Sequence, residues 1–244
     1  MNRRWPPDED FVDEAFSRLS RVMPEPKTEL DYQSPFELVS AVALSAQATD
    51  VGVNKATAKL FPVARTPQAM LALGEAGVIP YIASIGLYRN KARNLIAMSR
   101  ILVEQHGGEV PLTRAELQAL PGVGRKTASV VLNELGIEPA IAVDTHVFRV
   151  SHRLGLANAK TPDKVEDQLH RVVGEQWLGK SHHWLILHGR YTCTARKPNC
   201  VACVLRDICP SRVELEIGAS PSPGGRGLER PRAARRSAAR KGEG

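Results

Sequence analysis

Apolar residues in this chain recur mainly at three- and four-residue spacing, and the alternation that marks a half-buried strand is scarce. Phe11, Ala15, Leu19 and Val22 fall on one helical face, and Pro24 follows closely enough to end that helix. Val165, Leu169 and Val172 repeat the period, as do Ala128, Val131, Leu132 and Leu135 ahead of Gly136. The start signals are helical too. Ser34-Pro35-Phe36-Glu37 sets an N-cap serine before a proline at the first helical position and a glutamate at the third. Thr113-Arg114-Ala115-Glu116 is a second capping box, and Thr66-Pro67 and Thr161-Pro162 mark two further starts. The run Ile141-Ala142-Val143 is too short to specify a strand. The pattern predicts an all-α body with short loops and no internal repeat of fixed period.

Composition narrows the class. The 244 residues are 43% hydrophobic, enough to bury a core without disulfide staples. Met1 to Asp10 carries no apolar run of the kind that exports a chain, and no stretch of about 18 apolar residues exists to span a membrane. These features point to a reducing, cytoplasmic compartment and no membrane partner. The formal net charge of +7 suggests a polyanionic partner. Its distribution qualifies that suggestion. The segment from Ala219 to Gly244 holds seven Arg or Lys and two Glu, which leaves only +2 on residues 1–218. That segment is rich in Pro, Gly, Ala, Ser and Arg with a single large aliphatic residue, Leu228, so it is expected to be disordered. It reads equally well as a solvated appendage and as a loose electrostatic arm for nucleic acid. A specific DNA site in the body must therefore be local.

All four cysteines, Cys193, Cys200, Cys203 and Cys209, stand in one window with the spacing C-x6-C-x2-C-x5-C. In a reducing compartment such a cluster is a ligand set rather than a disulfide framework. A structural zinc site usually pairs its ligands as two short knuckles, and only Cys200 and Cys203 form one. The spacing suits a loop wrapped round a larger 4Fe–4S cube, with tetrahedral zinc as the alternative. His182, His183 and His188 sit beside this loop and read as structural or DNA-proximal, since four thiolates already saturate a cluster.

The run Leu120-Pro121-Gly122-Val123-Gly124-Arg125-Lys126-Thr127-Ala128 joins a capped helix, at about 114–120, to a second helix. Gly122 and Gly124 are expected to give a tight hairpin with positive φ and an uncovered backbone. The free N–H groups of the hairpin and of the following helix start form an anion site, suited to gripping phosphate without reading sequence. The alternative is a plain tight turn. Lys126, in the first turn of the second helix, is a candidate nucleophile, which must be unprotonated when it attacks. A helix N-terminus contributes only about 0.3–1 kcal/mol towards removing a positive charge at an exposed site, so desolvation, Arg125 or bound substrate must supply the rest. Asp144 ends the apolar run before Thr145-His146. It reads both as a helix N-cap and as a carboxylate held near a reacting centre, and the two roles are compatible.

Taken with Leu44-Ser45-Ala46-Gln47-Ala48-Thr49-Asp50, Ile85-Gly86-Leu87-Tyr88, Val143-Asp144-Thr145-His146 and His183 to Arg190, the hairpin and the cysteine run resemble the endonuclease III family over about Ser34 to Cys209. The resemblance implies a helix–hairpin–helix DNA glycosylase fold of two helical lobes with a C-terminal iron–sulfur loop, and it strengthens the 4Fe–4S reading of the cysteines. It implies an enzyme that removes oxidised pyrimidines and cleaves abasic sites, acting as a monomer on damaged duplex DNA in the cytoplasm, at the nucleoid. Lys126 would be the nucleophile and Asp144 its carboxylate partner. Gln47 and Leu87 would fill the gap left by the flipped nucleotide, although on sequence alone a buried helix polar and a core leucine are the simpler readings. Gly122, Val123, Gly124, Arg125 and His146 would contact DNA, and Arg190, Arg196, Lys197 and Arg206 would compensate cluster charge or touch phosphate. Residues 1–30 are then an N-terminal extension, partly helical, 31–215 the glycosylase body with its helix–hairpin–helix at about 113–136 and cluster loop at 193–209, and 216–244 a basic disordered tail. Ser129 stands where the family commonly has Asn. Two alternatives share some features. A sister adenine-mismatch glycosylase lacks the lysine nucleophile and carries a further C-terminal domain. A non-catalytic DNA-binding module would use its metal only structurally.

Overall fold

A computed structural model describes residues 5–212; the basic tail lies outside the described residues. The described residues form ten helices and no strand: α1 (Glu9–Val22), α2 (Pro35–Ser45), α3 (Asp50–Leu60), α4 (Pro67–Ile82), α5 (Tyr88–Gln105), α6 (Arg114–Ala119), α7 (Arg125–Glu134), α8 (Thr145–Leu154), α9 (Pro162–Val172) and α10 (Glu175–Tyr191). The caps follow from the side chains that precede each helix. Ser34, Thr66 and Thr113 accept hydrogen bonds from the backbone N–H groups of Glu37, Ala69 and Glu116. Glu37 reaches back one residue further than a capping box requires, accepting from the Gln33 N–H at 2.6 Å. Thr161 precedes α9 without a side-chain cap bond. Helix α4 breaks at Gly74, where φ is +68°. Ile141 to Val143 is a buried link with no strand structure, and its Ile141 N–H donates to His170 Nε2.

Two separate apolar cores make two helical lobes. The first gathers the buried faces of α2 to α7, including Leu38, Leu44, Leu60, Met98 and Leu132. The second joins α1 to α8, α9, α10 and the cysteine loop, with Phe16, Leu19, Val147, Leu169, Trp184 and Leu205 inside. Residue 30 is thus no packing boundary, because α1 completes the second core. Its buried face is also rotated from the predicted one. Val12, Ala15, Phe16 and Leu19 are buried, whereas Val22 is half exposed. Three- and four-residue spacing fits either face, and the aromatic partner decides: Phe16 stacks 6.4 Å from Trp177 and lies 6.1 Å from Trp184. The Trp184 indole N–H donates to the Met23 carbonyl at 2.8 Å, and Arg18 pairs with Asp207 at 2.5 Å, fixing α1 to the cysteine loop. Helices α8 and α10 approach closely at Gly189, where a Cβ would lie 2.9 Å from His146 Cβ and 3.1 Å from Val150 Cγ2.

Candidate active site

The hairpin between α6 and α7 is built as its sequence requires, with one difference. Gly122 has φ +83°, and a Cβ there would come within 3.1 Å of the Asn94 side chain. Gly124, expected at positive φ, is instead extended at φ −94° and ψ −178°, because it serves as the N-cap of α7. No atom lies within 4 Å of where its Cβ would be, so an incoming group can approach the backbone there. No side chain caps α7, which leaves the N–H groups of its first turn as an anion site. The Val123 side chain is buried in the first core, so this residue can offer DNA only its backbone. Arg125 is not a free cation. Its guanidinium is held by Glu166 at 2.6 Å and Asp167 at 2.7 Å.

Asp144 is the N-cap of α8, and both cap bonds fall on one oxygen. Oδ1 accepts from the His146 and Val147 N–H groups, each at 2.8 Å. Oδ2 is therefore the oxygen left for other work. Asp144 and Lys126 line the same cleft, although Lys126 belongs to the first lobe and Asp144 leads into the second. Lys27 to Leu30, Ser45, Asp50, His182, His183 and Arg190 line it as well. Arg190, read from sequence as a cation facing the cluster or phosphate, lies instead in this cleft, bonded to both Glu29 and Asp50. Glu29 comes from the segment assigned to the N-terminal extension. On another wall, His183 Nε2 meets Glu134 at 3.1 Å, and the Tyr32 hydroxyl donates to the same carboxylate at 3.1 Å. Burial, and then the Glu134 charge, push Tyr32 up to about 12.

His182 is buried and its Nδ1 has no hydrogen-bond partner. Burial, then the charges of His183 and Lys126, hold it well below the ordinary value of 6.5, so it is neutral. The unfolded chain accepts a proton near 6.5 that folded His182 refuses. Its contribution to stability is whole above that value and erodes as pH falls below it, by at most about 1.4 kcal/mol per pH unit. His182→Gln should flatten the dependence of the denaturant midpoint on pH below 6.5. An unchanged slope would mean that folded His182 takes up protons freely.

A second cleft adjoins the first across Glu29, Asp50 and Arg190 and is lined by Ala48, Thr49, Val51, His146 and Tyr191. Gln47 directly precedes Ala48 of this cleft, and Leu87 lies on the loop next to Gln47. These are the two non-glycine residues with positive φ among the described residues, at 56° and 60°. Both are exposed on loops, Leu87 by 58%, so neither the buried polar nor the core leucine reading holds. The loops are neighbours: a Cβ on Gly86 would lie 3.8 Å from the Gln47 carbonyl oxygen. Each left-handed residue costs about 1–2 kcal/mol, a cost retained where the local fold offers no other path. Leu87→Ala should therefore change stability by less than about 1 kcal/mol, against roughly 2–5 kcal/mol for a buried leucine. A melting temperature that fell as for a core residue would contradict the exposed placement.

None of the four cysteines forms a disulfide, and all four line one pocket. Arg153 Nη1 donates to Cys193 Sγ at 3.3 Å and to the Thr194 carbonyl at 2.7 Å, while Nη2 donates to the Ala195 carbonyl at 2.9 Å. His188 Nε2 lies 3.7 Å from Cys203 Sγ. Among the described residues no set of three His, Cys, Asp or Glu side chains could hold a single metal ion. The four thiols line one pocket with Arg153, Arg206 and Arg212 at its edge, cations that an anionic cluster would need. Arg196, Lys197 and Arg206 are on the exposed side of the loop. Arg149 joins this loop to the lobe, donating to the Cys193 and Gly189 carbonyls at 3.1 and 2.8 Å. No helix among the described residues is long and apolar enough to cross a membrane.

Residues 40–175 match the family model of the HhH-GPD superfamily base excision DNA repair protein, and residues 193–209 match that of the iron–sulfur binding domain of endonuclease III. The chain belongs to the endonuclease III family. It is 58% identical to endonuclease III of Escherichia coli strain K12 over 204 residues, covering 84% of this chain and 97% of that one. Endonuclease III of Treponema pallidum is 52% identical over 203 residues, covering 83% and 96%. The fold matches a non-covalent endonuclease III–DNA complex with a TM-score of 0.82 at 41% identity, over 86% of this chain and 99% of that one. It also matches a trapped endonuclease III–DNA covalent intermediate with a TM-score of 0.80 at 42% identity, over 85% and 98%. This endonuclease III family member carries a 4Fe–4S cluster, its four cysteines all fall within the matched iron–sulfur binding domain, and the zinc and disulfide alternatives fall. The family fold, two helical lobes with a C-terminal iron–sulfur loop, is the one observed. Sequence reasoning missed Asp50 and Glu29 as site residues, and it placed His182 beside the cysteine loop rather than in this cleft. Asp50 stood within a quoted motif, but nothing local marked its pairing with Arg190 across 140 positions of chain.

Proposed function

We propose that this protein removes oxidised pyrimidines from duplex DNA and cleaves the resulting abasic site by β-elimination, through a Schiff base at Lys126. The observation that carries this reading is the placement of Lys126 and Asp144, from opposite lobes, on one cleft beside an uncapped helix start. A relative at 42% identity solved as a trapped covalent intermediate with DNA supports the covalent route. The hairpin backbone at Gly122 to Arg125 grips phosphate, and the target nucleotide leaves the stack at a cost of a few kcal/mol. Leu87 and Gln47, already exposed on adjacent loops, enter the gap and replace the lost stacking and pairing. His146 meets the strand from the adjoining cleft.

The chemistry then needs few groups. The Lys126 amine, having lost its proton, attacks C1′ as the glycosidic bond breaks, and the base departs with the electron pair and gains a proton. The Asp144 carboxylate stabilises the positive charge that develops on the sugar. Ring opening leaves an iminium, a proton is lost from C2′, and the C3′–O bond breaks with the 3′ phosphate as leaving group. Water releases the lysine. The 4Fe–4S cluster holds the loop after α10 in its fold and takes no part in these steps. One chain supplies every residue that lines the cleft, in keeping with action as a monomer.

Borohydride reduction on an abasic duplex tests the reading. The wild-type protein should give an irreversible protein–DNA adduct, and its absence would remove the lyase claim. Release of thymine glycol from duplex, with no release of adenine from a mismatch, separates the reading from that of the sister glycosylase.

A further inference from the structure

Arg125 follows the hairpin and precedes Lys126, which invites its assignment to phosphate. We infer instead that Arg125 and Glu166 are positioning residues: together they lock the start of α7 to the second lobe and so set Lys126 against Asp144. This rests on the function proposed above.

The contacts form one continuous network. Arg125 Nε donates to Glu166 Oε2 at 2.6 Å and Nη2 donates to Asp167 Oδ1 at 2.7 Å. The other oxygen of Glu166, Oε1, accepts from the Ser129 hydroxyl at 2.8 Å. Ser129 in turn accepts from Arg114 Nη1 at 2.7 Å, and Arg114 Nη2 bonds Glu138 at 2.6 Å. Glu166 and Ser129 are both buried. One carboxylate thus grips α7 at two points a helical turn apart, flanking Lys126.

The network spans the division between the cores. Ala128, Val131 and Leu132 of α7 pack in the first, and Val165 and Leu169 of α9 in the second. The catalytic pair is divided in the same way. Arg125 is 40% exposed but Glu166 is buried, so removing the guanidinium strands a buried carboxylate at high cost, and the pair holds one relative placement of the lobes. A guanidinium already forked between two carboxylates has little charge to offer DNA, and the anion grip falls to the backbone N–H groups. Ser129 has a place here that a comparison of residue types does not suggest. Its hydroxyl is short enough to stand between a guanidinium and a carboxylate and can donate to one while accepting from the other.

Arg125→Lys is the decisive variant, since it keeps the charge and loses the fork. Single-turnover cleavage should fall on the order of 10- to 100-fold, as expected for a misplaced nucleophile. Affinity for abasic duplex should stay within about threefold, and the slope of log affinity against log salt should not change for Arg125→Met, because no phosphate contact is lost. Glu166→Gln should match Arg125→Lys in rate. Ser129→Ala, which keeps the ion pair, should show a smaller fall and serves where Glu166→Gln melts early. Wild-type rates in Arg125→Lys, or a salt slope flattened by about 0.9 in Arg125→Met, would overturn the inference and make Arg125 a phosphate contact. The wild-type trapping assay keeps the two readings apart: failure there removes the proposed chemistry, whereas trapping with an unaffected Arg125→Lys removes only the positioning role.

Discussion

Lys126→Ala should leave a protein that binds abasic duplex but gives no borohydride-stable adduct. The Schiff base needs a primary amine that reaches C1′, and Lys126 shares its cleft with Asp144 at the hairpin that holds the strand. Lys27 also lines that cleft, and it is the amine that could mislead. It comes from the link between α1 and α2, not from the hairpin. The alanine variant keeps the fold, because Lys126 is an exposed residue of α7 and alanine is the best helix former. Trapping by Lys126→Ala at the wild-type rate would assign the nucleophile elsewhere, with Lys27→Ala the next variant to make. Loss of binding together with trapping would mean that Lys126 holds phosphate rather than attacking.

Asp144→Asn separates the two roles of that side chain. Asparagine keeps an acceptor oxygen for the His146 and Val147 N–H groups, and it is as good an N-cap as aspartate. The start of α8 should therefore survive. What is lost is the negative charge facing the sugar as positive charge develops there. Removing one such electrostatic contact commonly costs on the order of 10²–10³ in rate. The expected result is near-normal DNA affinity and melting temperature with turnover reduced by about that factor. Asp144→Ala should add a stability loss of about 1 kcal/mol from the missing cap. If Asp144→Asn lost affinity and turnover equally, the carboxylate would be a binding group and not a stabiliser of charge in the reaction.

Much of this was legible in the chain. Caps at Ser34, Thr66 and Thr113 are short-range chemistry, and each appears where its side chain reaches the third residue on. The cysteine spacing is equally local. The face of α1 was not legible, because a one-residue rotation keeps the helical period and only two tryptophans some 160 positions away choose between the faces. Gly124 was misjudged for a related reason. Two glycines suggest two positive φ values, but the second has to be extended to start a helix. The Arg190 ion triad and the Arg125 fork depend on partners brought together only by folding, and charge alone does not name them. Gln47 and Leu87 show the reverse: their strain is invisible in a sequence, and in the fold it singles them out.

Helix α1 and helix α10 share one core although most of the chain runs between them. During synthesis the first lobe is contiguous and can close as soon as α7 has emerged. Phe16 must wait for Trp177 and Trp184, with its apolar face uncovered in the meantime. The iron–sulfur loop emerges later still, and its Asp207 docks on α1 through Arg18. Assembly of the cluster is in this sense a late check on the N-terminus, and a lesion in the first two dozen residues should surface as poor cluster retention rather than as a fault in the hairpin.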